Sequence, residues 1–188
     1  MSSIKVKDIM VPLEEYATVS EEATLAEAVL ALEKAQEQYK QSRYKHRAVL
    51  VYDKDRRIVG KVSQLDTIRG IESGYTKIGD LKTVSHSGFR PEFIKSLMGK
   101  YDLWQQPLEE IVKKAARVKV KDIMHKPTEG EYVEEDASLE EAIHLLVMGQ
   151  HQSLLVTREG RIVGILRLTD VFMALRTMVL PERREKGN

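Results

Sequence analysis

Apolar positions along the chain follow two rhythms, and the rhythms occur twice in the same order. Leu25, Ala28, Val29, Leu32 and Ala35 recur at the three- and four-residue spacing of one buried helical face, and so do Leu139, Ala142, Ile143, Leu146 and Val147. Thr24-x-x-Glu27 and Ser138-x-x-Glu141 stand at the starts of these stretches. Each predicts a capping box, in which a hydroxyl and a carboxylate satisfy the free amides of a helix start. Next come two short apolar runs, Ala48-Val49-Leu50-Val51-Tyr52 and Ser153-Leu154-Leu155-Val156-Thr157, suited to buried strands. A charged turn closes each run (53–56 and 158–160), followed by a second strand over 58–62 or 162–166 and a final helix over 65–72 or 169–178.

The letters repeat as well as the pattern. Val6-Lys7-Asp8-Ile9-Met10 returns unchanged as Val120-Lys121-Asp122-Ile123-Met124, and Arg57-Ile58-Val59-Gly60 returns as Arg161-Ile162-Val163-Gly164. The first offset is 114 residues and the second 104, so the first copy holds ten extra residues, most simply within 34–46. The chain therefore reads as two copies of one α/β unit: an extended lead, a helix, two strands and a helix. Neither copy alone has an ample core, which predicts that the two pack sheet to sheet. Between them lies a stretch rich in aromatics (Phe89, Phe93, Tyr101 and Trp104), with Pro91 and Pro107 at helix-start positions. Helices are expected over 91–98 and 107–117, either as a covering linker or as an interaction surface. The polar, basic stretch 33–47 reads as a solvated helix end favoured by the helix dipole.

Composition narrows the class without choosing a function. The 188 residues are 42% hydrophobic and 31% charged, as in an ordinary globular protein. With 30 Lys plus Arg against 29 Asp plus Glu, no global field favours nucleic acid or an anionic membrane. Cys is absent, which removes disulfides, thiolate metal sites and a cysteine nucleophile. No apolar run reaches membrane-spanning length, and the N-terminus is too polar for a secretory signal, so a cytoplasmic location is expected. The five histidines, His46, His86, His125, His144 and His151, form no pair at metal-ligand spacing, and no nucleophile elbow, Walker loop or dinucleotide fingerprint occurs. No catalytic residue and no metal ligand is expected, and the chain reads as a non-enzyme.

Two copies of V-x-D-I-M, each followed by a capped helix and two strands that lead into a G-x-x-[ST]-x-x-D motif, complete in the first copy and altered in the second, resemble a CBS (cystathionine-β-synthase) domain pair, or Bateman module. The resemblance implies an α/β (α+β) fold of tandem repeats, packed as a pseudo-twofold pair, each a small sheet with two helices. On this reading the first repeat covers 1–82, a helical insertion 83–117, the second repeat 118–181 and a polar tail 182–188. It further implies a stand-alone sensor that binds an adenine nucleotide (AMP, ADP or ATP, or else S-adenosylmethionine) in clefts between the repeats. No tightly bound cofactor is implied. Partners are expected to be an effector protein and a second copy of the chain. The rival reading is a structural or assembly module with empty clefts that acts through the insertion.

The closing motif carries the chemistry. Copy one reads Gly60-Lys61-Val62-Ser63-Gln64-Leu65-Asp66, which fits the family pattern in full. Gly60 lets a ligand or neighbouring backbone approach the strand. Ser63 and Asp66 stand at a helix N-terminus, where Asp66 could accept from ribose hydroxyls, although Ser63-x-x-Asp66 is also a plain helix cap. Copy two reads Gly164-Ile165-Leu166-Arg167-Leu168-Thr169-Asp170, with Arg167 in the hydroxyl position. Arg167 either offers its guanidinium to a phosphate or pairs with Asp170 and closes the second cleft. The resemblance also places Tyr16-Ala17-Thr18-Val19 and Glu131-Tyr132-Val133 along a base pocket, with core packing an equal account of Val19 and Val133. His46 and Arg47 fall where the family often contacts phosphate, or else belong to the solvated helix end. Trp104 reads as a packing residue.

Overall fold

The computed structural model describes residues 4–38, 45–78 and 90–180. Phe89, part of the proposed ten-residue excess, the start of the insertion and the polar tail 182–188 lie outside the described residues. Among them are seven short strands: β1 (Val11–Pro12), β2 (Thr18–Ser20), β3 (Ala48–Tyr52), β4 (Ile58–Ser63), β5 (Tyr132–Glu134), β6 (Ser153–Arg158) and β7 (Arg161–Arg167). The described α-helices are α1 (Leu25–Gln38), α2 (Gln64–Ile71), α3 (Pro91–Lys100), α4 (Leu108–Ala115), α5 (Val120–Ile123), α6 (Leu139–Gly149) and α7 (Leu168–Val179). The mixed α/β class, the helix–strand–strand–helix order in both copies and the two helices after residue 90 agree with the sequence pattern.

Packing divides the chain into two compact units. One comprises Ala17–Lys34 and Arg47–Lys126; the other comprises Met1–Tyr16, Ala35–His46 and Pro127–Asn188. In the first unit the sheet order is β2-β3-β4, with β2 parallel and β4 antiparallel to β3. In the second the order is β1-β7-β6-β5, where β6 and β7 repeat the β3–β4 hairpin and β5 repeats β2. Strands β2 and β5 are three residues each, too short to carry a readable alternation in sequence.

The lead segments are exchanged between the copies. In the second unit Val6 donates its amide to Ala137 O at 3.1 Å, Lys7 donates to Glu135 O at 2.9 Å, and Leu139 donates to Ile4 O at 3.0 Å. The first unit holds the same set: Val120 to Ala23 O at 2.8 Å, Lys121 to Glu21 O at 3.1 Å and Leu25 to Val118 O at 2.9 Å. Ion pairs follow suit. Lys7 and Lys5 reach Asp136 at 2.7 and 3.2 Å, and Lys121 reaches Glu22 at 2.7 Å. The hydrogen bond from Lys7, joined by that from Lys5, holds the Asp136 carboxyl below the usual range, as Lys121 does for Glu22. Val6 and Val120 are both fully buried. Thus each Val-Lys-Asp-Ile-Met packs on the other copy's helix start, a long-range choice that no local period encodes.

Each unit buries its strands and one stripe of its helices. In the second unit Val6, Val133, Leu139, Ala142, Leu146, Leu154, Val156, Leu166 and Val171 form one cluster, so Val133 is a core residue. In the first, Val49, Leu50, Val51 and Val62 are buried on the sheet, and Leu25, Ile111 and Ala115 are buried on helices. The Thr24–Glu27 capping box forms in both directions, with Thr24 N donating to Glu27 Oε2 at 2.6 Å and Glu27 N to Thr24 Oγ1 at 3.3 Å. At Ser138 the hydroxyl accepts from Glu141 N at 3.1 Å, while the Glu141 side chain is exposed.

Candidate functional site

The first unit contains six of the eight candidate residues, all on its sheet and the helix that follows. Register sets their spacing: Thr18 stands opposite Leu50, Leu50 opposite Lys61, Val51 opposite Gly60 and Ala48 opposite Ser63. Arg47 precedes Ala48, and its carbonyl accepts from Gln64 N at 3.0 Å, extending the hairpin by one bond. Arg47, Ser63 and the start of α2 therefore meet at one end of the sheet, with Thr18 two positions in on the neighbouring strand. Thr18 and Arg47 are exposed, Val19 is buried, and Ser63 and Asp66 are half-buried.

At the start of α2, Ser63 caps the helix by accepting from Asp66 N at 3.1 Å. Asp66 Oδ2 in turn accepts from Ser63 N at 2.9 Å and from Ser63 Oγ at 2.6 Å. The cap expected from spacing is thus present. It uses one carboxylate oxygen and leaves Oδ1 outside these bonds, at a helix end whose dipole favours negative charge.

Gly60 serves a neighbouring backbone in this structure. A Cβ there would fall 2.6 Å from Met124 Sδ and 3.0 Å from His125 O, so the glycine makes room for the exchanged lead. Lys61 and His125 also exchange backbone bonds, at 3.0 and 2.9 Å. Gly164 repeats the device: a Cβ there would meet Val11 O at 2.5 Å and Met10 Sδ at 3.1 Å.

The second unit contains Arg167 and Asp170, in a different state. Arg167 donates from Nε to Asp170 Oδ2 at 2.7 Å and from Nη2 to Asp170 Oδ1 at 2.5 Å, while its backbone amide also reaches Oδ2 at 3.1 Å. Both carboxylate oxygens are therefore engaged by one residue, and the pair is buried, with side chains 6% and 8% exposed. Of the two sequence alternatives for Arg167, the pairing with Asp170 is the one observed. His46 lies 3.4 Å from Arg167 Nη1 through Nδ1, edge-on to Tyr16 at 4.4 Å between ring centroids. Its carbonyl accepts from Gln36 Nε2 at 3.0 Å. Burial, reinforced by the Arg167 guanidinium, lowers its pKa to about 4, against a smaller pull from Asp170. His46 is fully buried and does not belong to a solvated helix end. Glu131 is also buried, accepting from Thr128 N at 3.2 Å, while Tyr132 is exposed.

Trp104 does pack, as expected, and is also hydrogen-bonded, its indole donating to Tyr75 OH at 3.2 Å. Among the described residues, no cluster of three or more His, Cys, Asp or Glu is arranged to hold a metal, and no helix is long and apolar enough to cross a membrane.

A family model described as CBS domain matches residues 6–73 and 120–177, more than half of the chain. Solved structures share the fold. A CBS domain-containing protein of unknown function from Bacillus anthracis is 20% identical with a TM-score of 0.60, over 93% of this chain and 94% of that one. CBSX2 of Arabidopsis thaliana, in a structure in complex with AMP, is 19% identical with a TM-score of 0.56, over 93% of this chain and 98% of that one. MJ1004 from M. jannaschii is 20% identical with a TM-score of 0.56; the match covers 93% of this chain but 60% of that longer one. No curated protein matches the sequence.

Proposed function

Because this chain belongs to the CBS-domain family, matching it over both repeats, we propose that it is a non-catalytic regulatory module that binds an adenine nucleotide and reports occupancy to a partner protein. One observation carries the reading: Asp66 Oδ1 is left over by the cap on α2, whereas both oxygens of Asp170 are taken by Arg167. A carboxylate oxygen at a helix start suits the paired hydroxyls of a ribose. Ser63 holds that carboxylate in place, Arg47 supplies the charge for a phosphate, and Thr18 and Val19 line the base. Gly60 contributes indirectly, by admitting the lead segment. The Arg167–Asp170 pair makes the second motif weak or silent, which leaves one strong site per chain. AMP is the first ligand to try, since a CBS-pair structure of the same fold was obtained in complex with it; ADP, ATP and S-adenosylmethionine are the alternatives.

A thermal-shift screen with these four compounds, followed by calorimetry, tests the proposal, because a ligand that binds only the folded state raises the melting temperature. One site per chain is expected. Asp66→Ala should lose about 1 to 3 kcal/mol of binding, the worth of a hydrogen bond to a charged group. Unchanged affinity in Asp66→Ala would remove the site assignment, and two equal sites would remove the asymmetry. Silence toward all four ligands would favour the second reading, an assembly module acting through the inserted helices. That reading draws on α3, which has no buried residue and exposes Phe93, Ile94 and Met98.

We also propose a homodimer. Phe172, Met178, Val179 and Leu180 at the end of the second copy are 56 to 74% exposed, while Leu175 and Ala174 pack inward on the core. Within the described residues this apolar surface is left open, and a twofold contact covers it with its own copy.

A further inference from the structure

Helix α2 carries Asp66 in its first turn and ends at Ile71, with Glu72 as the residue that closes it, six residues or about 9 Å along the helix from Asp66. Glu72 fixes two backbone amides at once, accepting from Gly74 N at 2.9 Å through Oε1 and from Trp104 N at 2.9 Å through Oε2. Trp104 therefore ties the segment between the copies to the far end of the helix that begins at Asp66. The tie is tight. Leu103 is buried and fills the space that a side chain at Gly74 would need, and the Trp104 indole meets Tyr75 edge to face, 6.3 Å between centroids. It is also strained, since Asp102 and Trp104 hold φ of 50° and 60°, a left-handed conformation that bulky residues avoid. Such outliers persist only where surrounding contacts hold them, and they cluster at switch regions. Here the bonds that hold Trp104 come from Glu72 and Tyr75. A small displacement of α2 therefore has two outcomes, bonds kept with strained backbone or bonds lost with relaxed backbone, which is the discrete element that coupling requires.

We infer that the Glu72–Trp104–Tyr75 contact is a latch through which nucleotide occupancy at Asp66 changes the position of the inserted helices α3 and α4. This rests on the nucleotide reading above and names its output. Glu72 is a positioning residue, since it acts through α2 and not on the ligand.

Trp104 is the one tryptophan of the chain, so its emission reports this contact alone. The test is a titration of the full chain with AMP followed by calorimetry and by tryptophan emission, on the native sequence, Glu72→Gln and Tyr75→Phe. The expected result is an emission change that saturates with the heat, and a change of fivefold or more in AMP affinity in Glu72→Gln, the scale of ordinary allosteric coupling. Tyr75→Phe, which removes one hydroxyl, should shift affinity in the same direction by less. Heat with silent emission overturns the latch and leaves the nucleotide site standing. If AMP gives no heat, ADP, ATP and S-adenosylmethionine are titrated in turn, and absence of heat with all four withdraws both. If Glu72→Gln does not fold, the native titration and Tyr75→Phe still decide.

Discussion

Asp66 and Asp170 occupy the same place in the same motif, and their neighbours give them opposite duties. Asp66 closes a cap with Ser63 and keeps an oxygen, whereas Asp170 neutralises a buried guanidinium. Removing the second should therefore cost more. Asp170→Ala leaves Arg167 charged and buried, with an expected loss of about 3 to 5 kcal/mol, against about 1 kcal/mol for the cap lost in Asp66→Ala. Urea denaturation of the two variants checks the order. His46 makes a prediction in pH. The unfolded chain protonates this residue near pH 6.5, while the folded chain resists protonation down to about pH 4. Stability therefore falls as pH drops across that interval, by roughly 3 kcal/mol in all, and is unaffected by His46 above it. His46→Gln should flatten melting temperature between pH 6.5 and 4.5. The exposed carboxylates whose pKa values are lowered, Asp136 and Glu22 among them, lose their contribution only at more acid pH.

At the scale of elements, the exchanged leads separate order in sequence from partnership in packing. Val6 stands in copy one and is buried in the cluster of Leu139, Leu146 and Leu154 in copy two. Val6→Ala should cost about 2 kcal/mol for the lost carbons and the space they leave. Amide exchange is expected to rise in α6, not in α1; the reverse would contradict the exchange. The motif glycines make a paired prediction. Gly60→Ala meets first a methionine sulfur, which can swing aside, whereas Gly164→Ala meets the Val11 carbonyl and must move a strand. Overpacking typically costs about 1 to 3 kcal/mol, and Gly164→Ala should lie at the upper end, measured by the same denaturation.

For the whole molecule, the exposed end of α7 bears on assembly. A chain of 21.5 kDa should sediment at twice that mass at micromolar concentration. Phe172→Glu, which places a charge on the 57% exposed ring position, should return it to the monomer without unfolding. A monomeric native chain would show that the apolar surface is satisfied in some other way.

The repeat, the helix and strand order, the two capped helices and the divergence at Arg167 were all legible in the sequence, because each is written in local spacing or in letters that recur. So was the cap that Ser63 and Asp66 form, three residues apart at one helix start. Only the tertiary structure decided which copy each lead segment covers, that Gly60 faces Met124, that His46 is buried beside Arg167, and that Glu72 holds Trp104. These are contacts between residues tens to more than a hundred positions apart. Many pairings would satisfy the same local pattern, and the one adopted is selected by the packing of surfaces that no single segment contains.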